Sequence, residues 1–317
     1  MTLCEVLLKL YRGSRERDAV RFPGFALALV GSLLVFDSAV WTIEAGDGEL
    51  RCAHRLNQGA AFLSLWRKHA GSDPNLRALV QGEPGRTRRF ADLPGSGVTS
   101  GVVREFCARF GIRHALCAAA SDTPGGLEHR FCCYRGSGKN PFSDPEHRIA
   151  RFLTPHLIEA RRANLTAHIA ACRDGGFRSG VCDRTGLIHH AEAGFRELLC
   201  REWPDLRASE VPARLLASLA ARRAVFEGAF IIVKARRLGE LLHVQARSQG
   251  RTARLSPRER LIAKYLMRGT PYKDIGRGLG ITASTVTKHA NSIYRKTGVR
   301  NRAQLAEFFR ERGARSG

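Results

Sequence analysis

Between Leu255 and Phe309, apolar residues recur every three or four positions in four short runs, and helix-stop residues separate the runs. No other part of this 317-residue chain is so tightly constrained. Ser256, Pro257 and Glu259 have the spacing of a capping box with proline at the first helical position. Leu261, Ile262, Leu266 and Met267 then form an apolar side that ends at Gly269. A second, short helix is expected from Tyr272, with Ile275 and Leu279 facing inward. The turn Gly280-Ile281 leads to Thr282, the expected cap of a third helix that carries Val286, His289, Ile293 and Tyr294 and stops at Gly298. Asn301 caps a fourth, with Ala303, Leu305, Ala306 and Phe309 apolar. Four helices with a three- or four-residue turn between the second and third make a helix-turn-helix layout.

An ordinary helical docking module would have the same layout, so the outer face of the third helix decides between them. That face carries Ser284, Thr287, Lys288, Asn291 and Arg295. Small polar groups and cations suit base edges and phosphates, whereas docking faces more often show aromatics. Charge agrees. The chain has a net charge of +23, and after Gly250 it holds 16 Lys or Arg against 4 Asp or Glu. Charge density there is about four times that of the preceding residues, a field that attracts polyanions. The excess of Arg over Lys also follows from a GC-rich genome, so distribution carries the inference and the total does not.

At motif level, Leu255-Ser256-Pro257-Arg258-Glu259, Gly269, Tyr272-Lys273-Asp274-Ile275 and Leu279-Gly280-Ile281-Thr282 lead into Thr285-Val286 and His289. Ile293-Tyr294-Arg295-Lys296-Thr297-Gly298-Val299 and Arg300-Asn301-Arg302 complete a pattern that resembles the LuxR/FixJ-type DNA-binding domain over about a fifth of the chain. The resemblance implies that Thr282-Ala283-Ser284-Thr285-Val286-Thr287-Lys288-His289-Ala290-Asn291-Ser292-Ile293-Tyr294-Arg295-Lys296-Thr297 is a recognition helix. It implies base contacts from Thr287, Lys288 and Asn291, and backbone contacts from Lys273, Thr285 and Lys296. His289 is expected to pack rather than to read bases, and the fourth helix resembles the family's dimerisation helix, so the expected partners are double-stranded DNA and a second copy of the chain. Two departures stand out. Gly276 replaces the family's usual Ala and Gly278 follows, each costing about 0.5–1 kcal/mol in a helix interior. Thr287 and Ala290 stand where a basic residue is common, so base preference does not transfer.

Upstream, three boundaries are expected: a sensory domain over residues 1–165, a second domain over 166–248, and a polar linker over 249–254 ahead of the helix-turn-helix domain at 255–313. The first opens with an amphipathic helix (Leu3, Val6, Leu7, Leu10, Tyr11) and a buried helix near Phe25 to Phe36. Strands are expected at 38–44, 114–120 and 127–134, the last two joined by the turn Thr123-Pro124-Gly125-Gly126. Helices are expected around Phe62-Leu65-Trp66, from Val102 to Phe110, and from a Ser143 or Asp144 cap with Pro145 as first residue. The stretch 71–101 reads as turn-rich and polar, and no internal repeat is visible. Phe36-Asp37-Ser38-Ala39, Pro141-Phe142-Ser143-Asp144 and Pro155-His156-Leu157 resemble GAF-like sensory domains. In the second domain, the strand 180–183, the turn Asp183-Arg184-Thr185-Gly186, the strand 187–190, the helix 191–200 and the strands 228–234 and 240–246 follow a PAS-like order. The expected fold is therefore multidomain, an α+β GAF/PAS-like sensory region followed by an all-α four-helix domain.

Several classes are disfavoured. Nine cysteines without a CxxC pair fit neither a zinc site nor a disulfide framework, and are expected to be buried free thiols. Cys132 and Cys133 should point to opposite faces of their strand, and His189 and His190 likewise, one packed and one solvated. No metal and no cofactor is expected. No Gly-rich phosphate loop, paired catalytic carboxylates or nucleophile elbow is present, so an enzyme is not expected. No apolar run nears the roughly 18 residues of a membrane helix, and no leader pattern opens the chain, which favours the cytoplasm. A receiver domain's acidic constellation and the acyl-homoserine-lactone receptors' aromatic and Asp-Pro set are not evident. The expectation is a signal-responsive DNA-binding transcriptional regulator that takes an unidentified small molecule; the alternative is a regulator whose N-terminal region is a ligand-free dimerisation scaffold.

Overall fold

Strand β1 (Ser38–Glu44) is buried along its whole length, and the first domain is built outward from it. It pairs antiparallel with β2 (Leu50–Leu56) on one side and β5 (Leu127–Arg135) on the other. Strands β4 (His114–Asp122) and β3 (Thr87–Phe90) complete a sheet of order β2-β1-β5-β4-β3. These assignments come from a computed structural model, which describes residues 1–46, 48–70, 73–81, 87–91, 100–122, 126–203, 206, 209–220, 225–228, 231–248 and 255–313.

Alternation of side chains sends the sheet's two faces into different cores. Ala39, Trp41, Phe131, Cys133, Leu116 and Ala118 pack against α1 (Leu3–Glu16), α2 (Phe22–Val30) and α6 (Asp144–Ala171). Val40, Cys132, Tyr134, Ala115 and Cys117 pack against α3 (Ala60–His69), α4 (Pro74–Gln81) and α5 (Gly101–Arg109). Cys132 and Cys133 thus lie on opposite faces, as their adjacency requires.

Strands β1, β4 and β5 stand where their apolar runs place them. The stretch 71–101 is a correction, because α4 and β3 lie inside it. Strand β3 is a four-residue edge, Thr-Arg-Arg-Phe, and only its register with β4 makes it a strand. Strand β2, interrupted by Arg51, His54 and Arg55, is also held by its neighbour. Of the expected turn at 123–126, residues 123–125 lie outside the described residues, as do the linker 249–254 and residues 229–230 of an expected strand.

Helix α6 is capped by Ser143, with Asp144 first and Pro145 second, and the Ser143 N–H donates to the Glu146 carboxylate at 2.8 Å. It runs 28 residues, so position 165 falls inside it. The second sheet follows: β6 (Arg178–Cys182), β7 (Ile188–Ala191), β8 (Val225–Glu227), β9 (Ile231–Leu238) and β10 (Leu241–Ser248), in the order β7-β6-β10-β9-β8. Helices α7 (Phe195–Glu202) and α8 (Ala213–Ala220) cover it. The helix expected at 191–200 begins later, because Ala191 still belongs to β7 and Gly194, at φ +82°, starts α7.

Numbered within itself, each sheet has the order 2-1-5-4-3. The chain therefore builds one topology twice without a sequence repeat, since alternating burial and hairpin connection tolerate many side chains. Ile43, Cys52 and Leu127 of the first domain, Leu165 and Ile169 of α6, and Val181 and Leu241 of the second sheet share one core, which joins the two domains.

Candidate nucleic-acid interface

The four C-terminal helices are α9 (Pro257–Met267), α10 (Tyr272–Leu279), α11 (Ala283–Thr297) and α12 (Arg302–Gly313). They close around Leu255, Ile262, Ala263, Leu266, Ile275, Val286, Ala290, Ile293 and Leu305. Leu261 is a correction: it is 38% exposed, and Ala263 fills the core position beside Ile262. The capping signals act as their chemistry dictates. Ser256 and Glu259 form the capping box of α9, Thr282 accepts the Thr285 N–H at 3.2 Å, and Asn301 Oδ1 accepts the Gln304 N–H at 2.8 Å. Gly280 and Gly298 close α10 and α11 in the left-handed conformation.

This packing turns one side of α11 outward. Ser284, Thr287, Lys288, Asn291 and Arg295 are all exposed, while Val286, Ala290, Ile293 and Thr297 are buried. The Thr287 hydroxyl donates to the Ala283 carbonyl at 3.1 Å, so it presents its methyl group and oxygen lone pairs outward. Asn291 offers the paired donor and acceptor that match an adenine edge. Lys273 is exposed in the first turn of α10. Thr285 is half-buried, with its hydroxyl 2.8 Å from that of Thr282. His289 is half-buried too. Ala290 is a packing residue of the core, which accounts for its small size where a basic residue is common in the family.

Lys296 has a partner that no local sequence signal announces. Its ammonium donates to both carboxylate oxygens of Glu259, at 2.8 and 2.7 Å, and the Ser292 hydroxyl donates to the same carboxylate at 2.9 Å. Glu259 thereby serves two ends at once, capping α9 and anchoring α11. Burial alone would push its carboxyl up, but the hydrogen bonds from Lys296, Ser256 and Ser292 outweigh burial and hold it down at about 2. Arg302 ties α12 back in the same way. Its guanidinium lies 4.5 Å from the Tyr272 ring centre, and it donates to the Gly269 carbonyl at 3.3 Å.

The two glycines of α10 prove to be unlike. A Cβ on Gly276 would sit 2.6 Å from the Ile281 carbonyl oxygen, whereas one on Gly278 meets nothing within 4 Å. Gly276 is thus a close-approach residue that lets the turn fold back onto α10, and its own carbonyl accepts the Ile281 N–H at 3.0 Å. Gly276→Ala is expected to destabilise the domain by about 1–3 kcal/mol through overpacking. Gly278→Ala is expected to stabilise it by about 0.5–1 kcal/mol. Chemical unfolding followed by circular dichroism checks both, and equal signs would contradict the distinction.

Elsewhere, His189 is packed as expected, but His190, then expected in solvent, is half-buried, and both rings meet side chains of α6. His189 is buried against Asp183 (3.2 Å) and Arg161 (3.1 Å), while His190 is half-buried beside the Thr166 hydroxyl at 2.9 Å. The face of the first sheet toward α3–α5 holds a buried ion pair, Arg130 with Glu44. Among the described residues, Thr42 Oγ1, Glu44 Oε1 and Arg130 Nε are buried without hydrogen-bond partners. Among the described residues, no helix is long and apolar enough to cross a membrane.

Residues 253–309 match the family described as bacterial regulatory proteins, luxR family. A putative HTH-type transcriptional regulator of Escherichia coli K12, YhjB, is 46% identical over 52 residues, which is 16% of this chain. The match spans about a quarter of that relative, 26% of its length. Among solved structures, the N-acylhomoserine-lactone-dependent LuxR-family transcription factor CepR2 of Burkholderia cenocepacia is similar at 16% identity and a TM-score of 0.39, over 53% of this chain and 97% of that one. Escherichia coli SdiA is similar at 15% identity and a TM-score of 0.37, over 96% of this chain and 95% of that one. The phycoerythrobilin-bound GAF domain of a cyanobacterial phytochrome scores 0.38 at 13% identity, over 53% and 98%. Scores this low assign nothing by themselves, and the architecture of the N-terminal region rests on its own two sheets. The helices α9–α12, by their motifs, their packing and the match over 253–309, are a luxR-family helix-turn-helix domain.

Proposed function

We propose that this protein is a sequence-specific, DNA-binding transcriptional regulator that works in the cytoplasm as a homodimer and answers a signal received by its N-terminal region. The observation that carries the DNA half is the outer face of α11, where five polar or cationic side chains stand together in solvent on a domain rich in positive charge. Thr287, Lys288 and Asn291 contact bases in this reading; Lys273 and Thr285 contact the backbone. Lys296, two of whose donors are spent on Glu259, adds a backbone contact through what remains. In the dimer, α12 supplies the shared face, with Ala303 exposed and Leu305 committed to its own domain's core.

Lys288→Ala is expected to weaken binding to the cognate site by about 1–3 kcal/mol and to leave non-specific binding nearly unchanged. Lys273→Ala is expected to weaken binding to every sequence and to flatten the salt dependence by about one unit of slope. Titrations over a range of salt concentrations measure both. A uniform loss for Lys288→Ala, or an unchanged slope for Lys273→Ala, would move each residue to the other class.

The N-terminal region divides, in the same proposal, into a GAF-like sensory domain over 1–165 and a PAS-like domain over 166–248, with α6 as their common support. The unsatisfied polar atoms of Thr42, Glu44 and Arg130 favour a sensor over a ligand-free scaffold, because a polar small molecule that paired with them would recover their desolvation cost. Native mass spectrometry of the purified protein separates the two: a sensor carries a small molecule that the double substitution Glu44→Gln with Arg130→Met releases, and a scaffold gives the bare chain mass in both cases.

A further inference from the structure

We propose that His168, Cys172 and His243 form a transition-metal site, of the zinc class, that fastens the end of α6 to β10. Nothing in the local sequence announces it, since the third residue lies far along the chain from the first two. His168 and Cys172 are four apart on α6 and therefore project from one face, a turn apart. His243 lies in β10, wholly buried, on the face of the second sheet that α6 covers. The three candidate ligand atoms all lie within 4.8 Å of one another, and His168 Nε2 and Cys172 Sγ are 3.9 Å apart. A tetrahedral ion with bonds of about 2.0–2.3 Å needs ligand atoms about 3.3–3.8 Å apart, so small side-chain rotations close the site.

The surroundings already treat this place as the seat of a positive charge. Arg236, the register partner of His243 across β9 and β10, brings its guanidinium to all three groups. Its Nε donates to His243 Nδ1 at 3.1 Å, and its Nη2 lies 3.5 Å from His168 Nε2 and donates to Cys172 Sγ. Arg236 is exposed and long, so it can leave for solvent when an ion arrives. The imidazoles suit a metal as well. Their rings already meet edge to face, with centres 5.1 Å apart. Among the described residues, His243 Nε2 is buried without a hydrogen-bond partner, which leaves bonding capacity unspent at this ring. The two elements are also tied directly, because Gln245 Nε2 of β10 donates to the Cys172 carbonyl at 3.0 Å. One thiolate and two imidazoles select zinc, cobalt or cuprous copper and disfavour magnesium and calcium. Water would complete the fourth position.

Cobalt(II) titration of the reduced, chelator-treated full chain tests this. The expected result is one equivalent bound, with a thiolate-to-cobalt charge-transfer band and the visible bands of a tetrahedral ion, both bleached by zinc. Cys172→Ser is expected to lose the charge-transfer band, and His168→Gln to weaken binding at least about tenfold while leaving the circular dichroism spectrum unchanged. Arg236→Ala removes the competing cation and is expected to tighten binding about tenfold. A charge-transfer band that persists in a folded Cys172→Ser, or cobalt affinity unaltered in both His168→Gln and Arg236→Ala, overturns the proposal.

Discussion

Arg130→Ala is expected to lower the stability of the first domain by about 3–5 kcal/mol, because it leaves Glu44 buried as an uncompensated charge. Arg130 and Glu44 are 5% and 1% exposed, in the neighbouring strands β5 and β1, and each is the ion-pair partner of the other. Arg130 and Thr42 are also direct partners across the β1–β5 ladder. Urea unfolding followed by tryptophan fluorescence, with Trp203 of the second domain replaced by Phe, reads this domain through Trp41 and Trp66. The double substitution Glu44→Gln with Arg130→Met is expected to recover most of the loss, since two neutral side chains of similar size need no counter-charge. A double variant as unstable as Arg130→Ala would show that packing, not charge, sets the cost. The same pair bears on the proposed sensor, because Glu44 Oε1 and Arg130 Nε have no hydrogen-bond partner among the described residues.

Acidification is expected to remove about 3 kcal/mol from the helix-turn-helix domain through Glu259 alone. Its folded-state carboxyl titrates near 2, against 4.5 as the ordinary value. A depressed folded value means that the stabilisation is complete above about pH 4.5 and is lost as pH falls towards 2. Glu259→Gln is expected to remove most of that stabilisation at pH 7 and to flatten the pH dependence over that window. Lys296→Met should produce a similar flattening, because Lys296 is the principal partner. Unfolding of the helical signal as a function of pH measures both. If Glu259→Gln kept the full acid dependence of the parent, another carboxylate would have to be responsible.

How far the chain could be read depended on whether a signal was local. Ser256 with Glu259, Thr282, Gly280 and Gly298 act within one turn of their own helix, so the four helices and the exposed face of α11 were legible from spacing alone. The apolar strands β1, β4 and β5 were legible for the same reason. Strands β2 and β3 were not, because polar edge strands owe their conformation to the neighbour they pair with. Leu261 was misplaced for a related cause: periodicity gives a stripe, and only the packed neighbours say which edge of the stripe is covered.

The sequence by itself determined that the chain carries a C-terminal helix-turn-helix domain, and which side chains of its third helix face outward, because capping and period act over a few residues. Tertiary structure alone decided the rest. It paired Lys296 with Glu259 and showed that Gly276 admits a close turn where Gly278 is merely permissive. It gave both N-terminal sheets the same strand order and drew His168, Cys172, His243 and Arg236 together. Each of these depends on which distant segments become neighbours, and long-range pairing leaves no periodic trace in the chain.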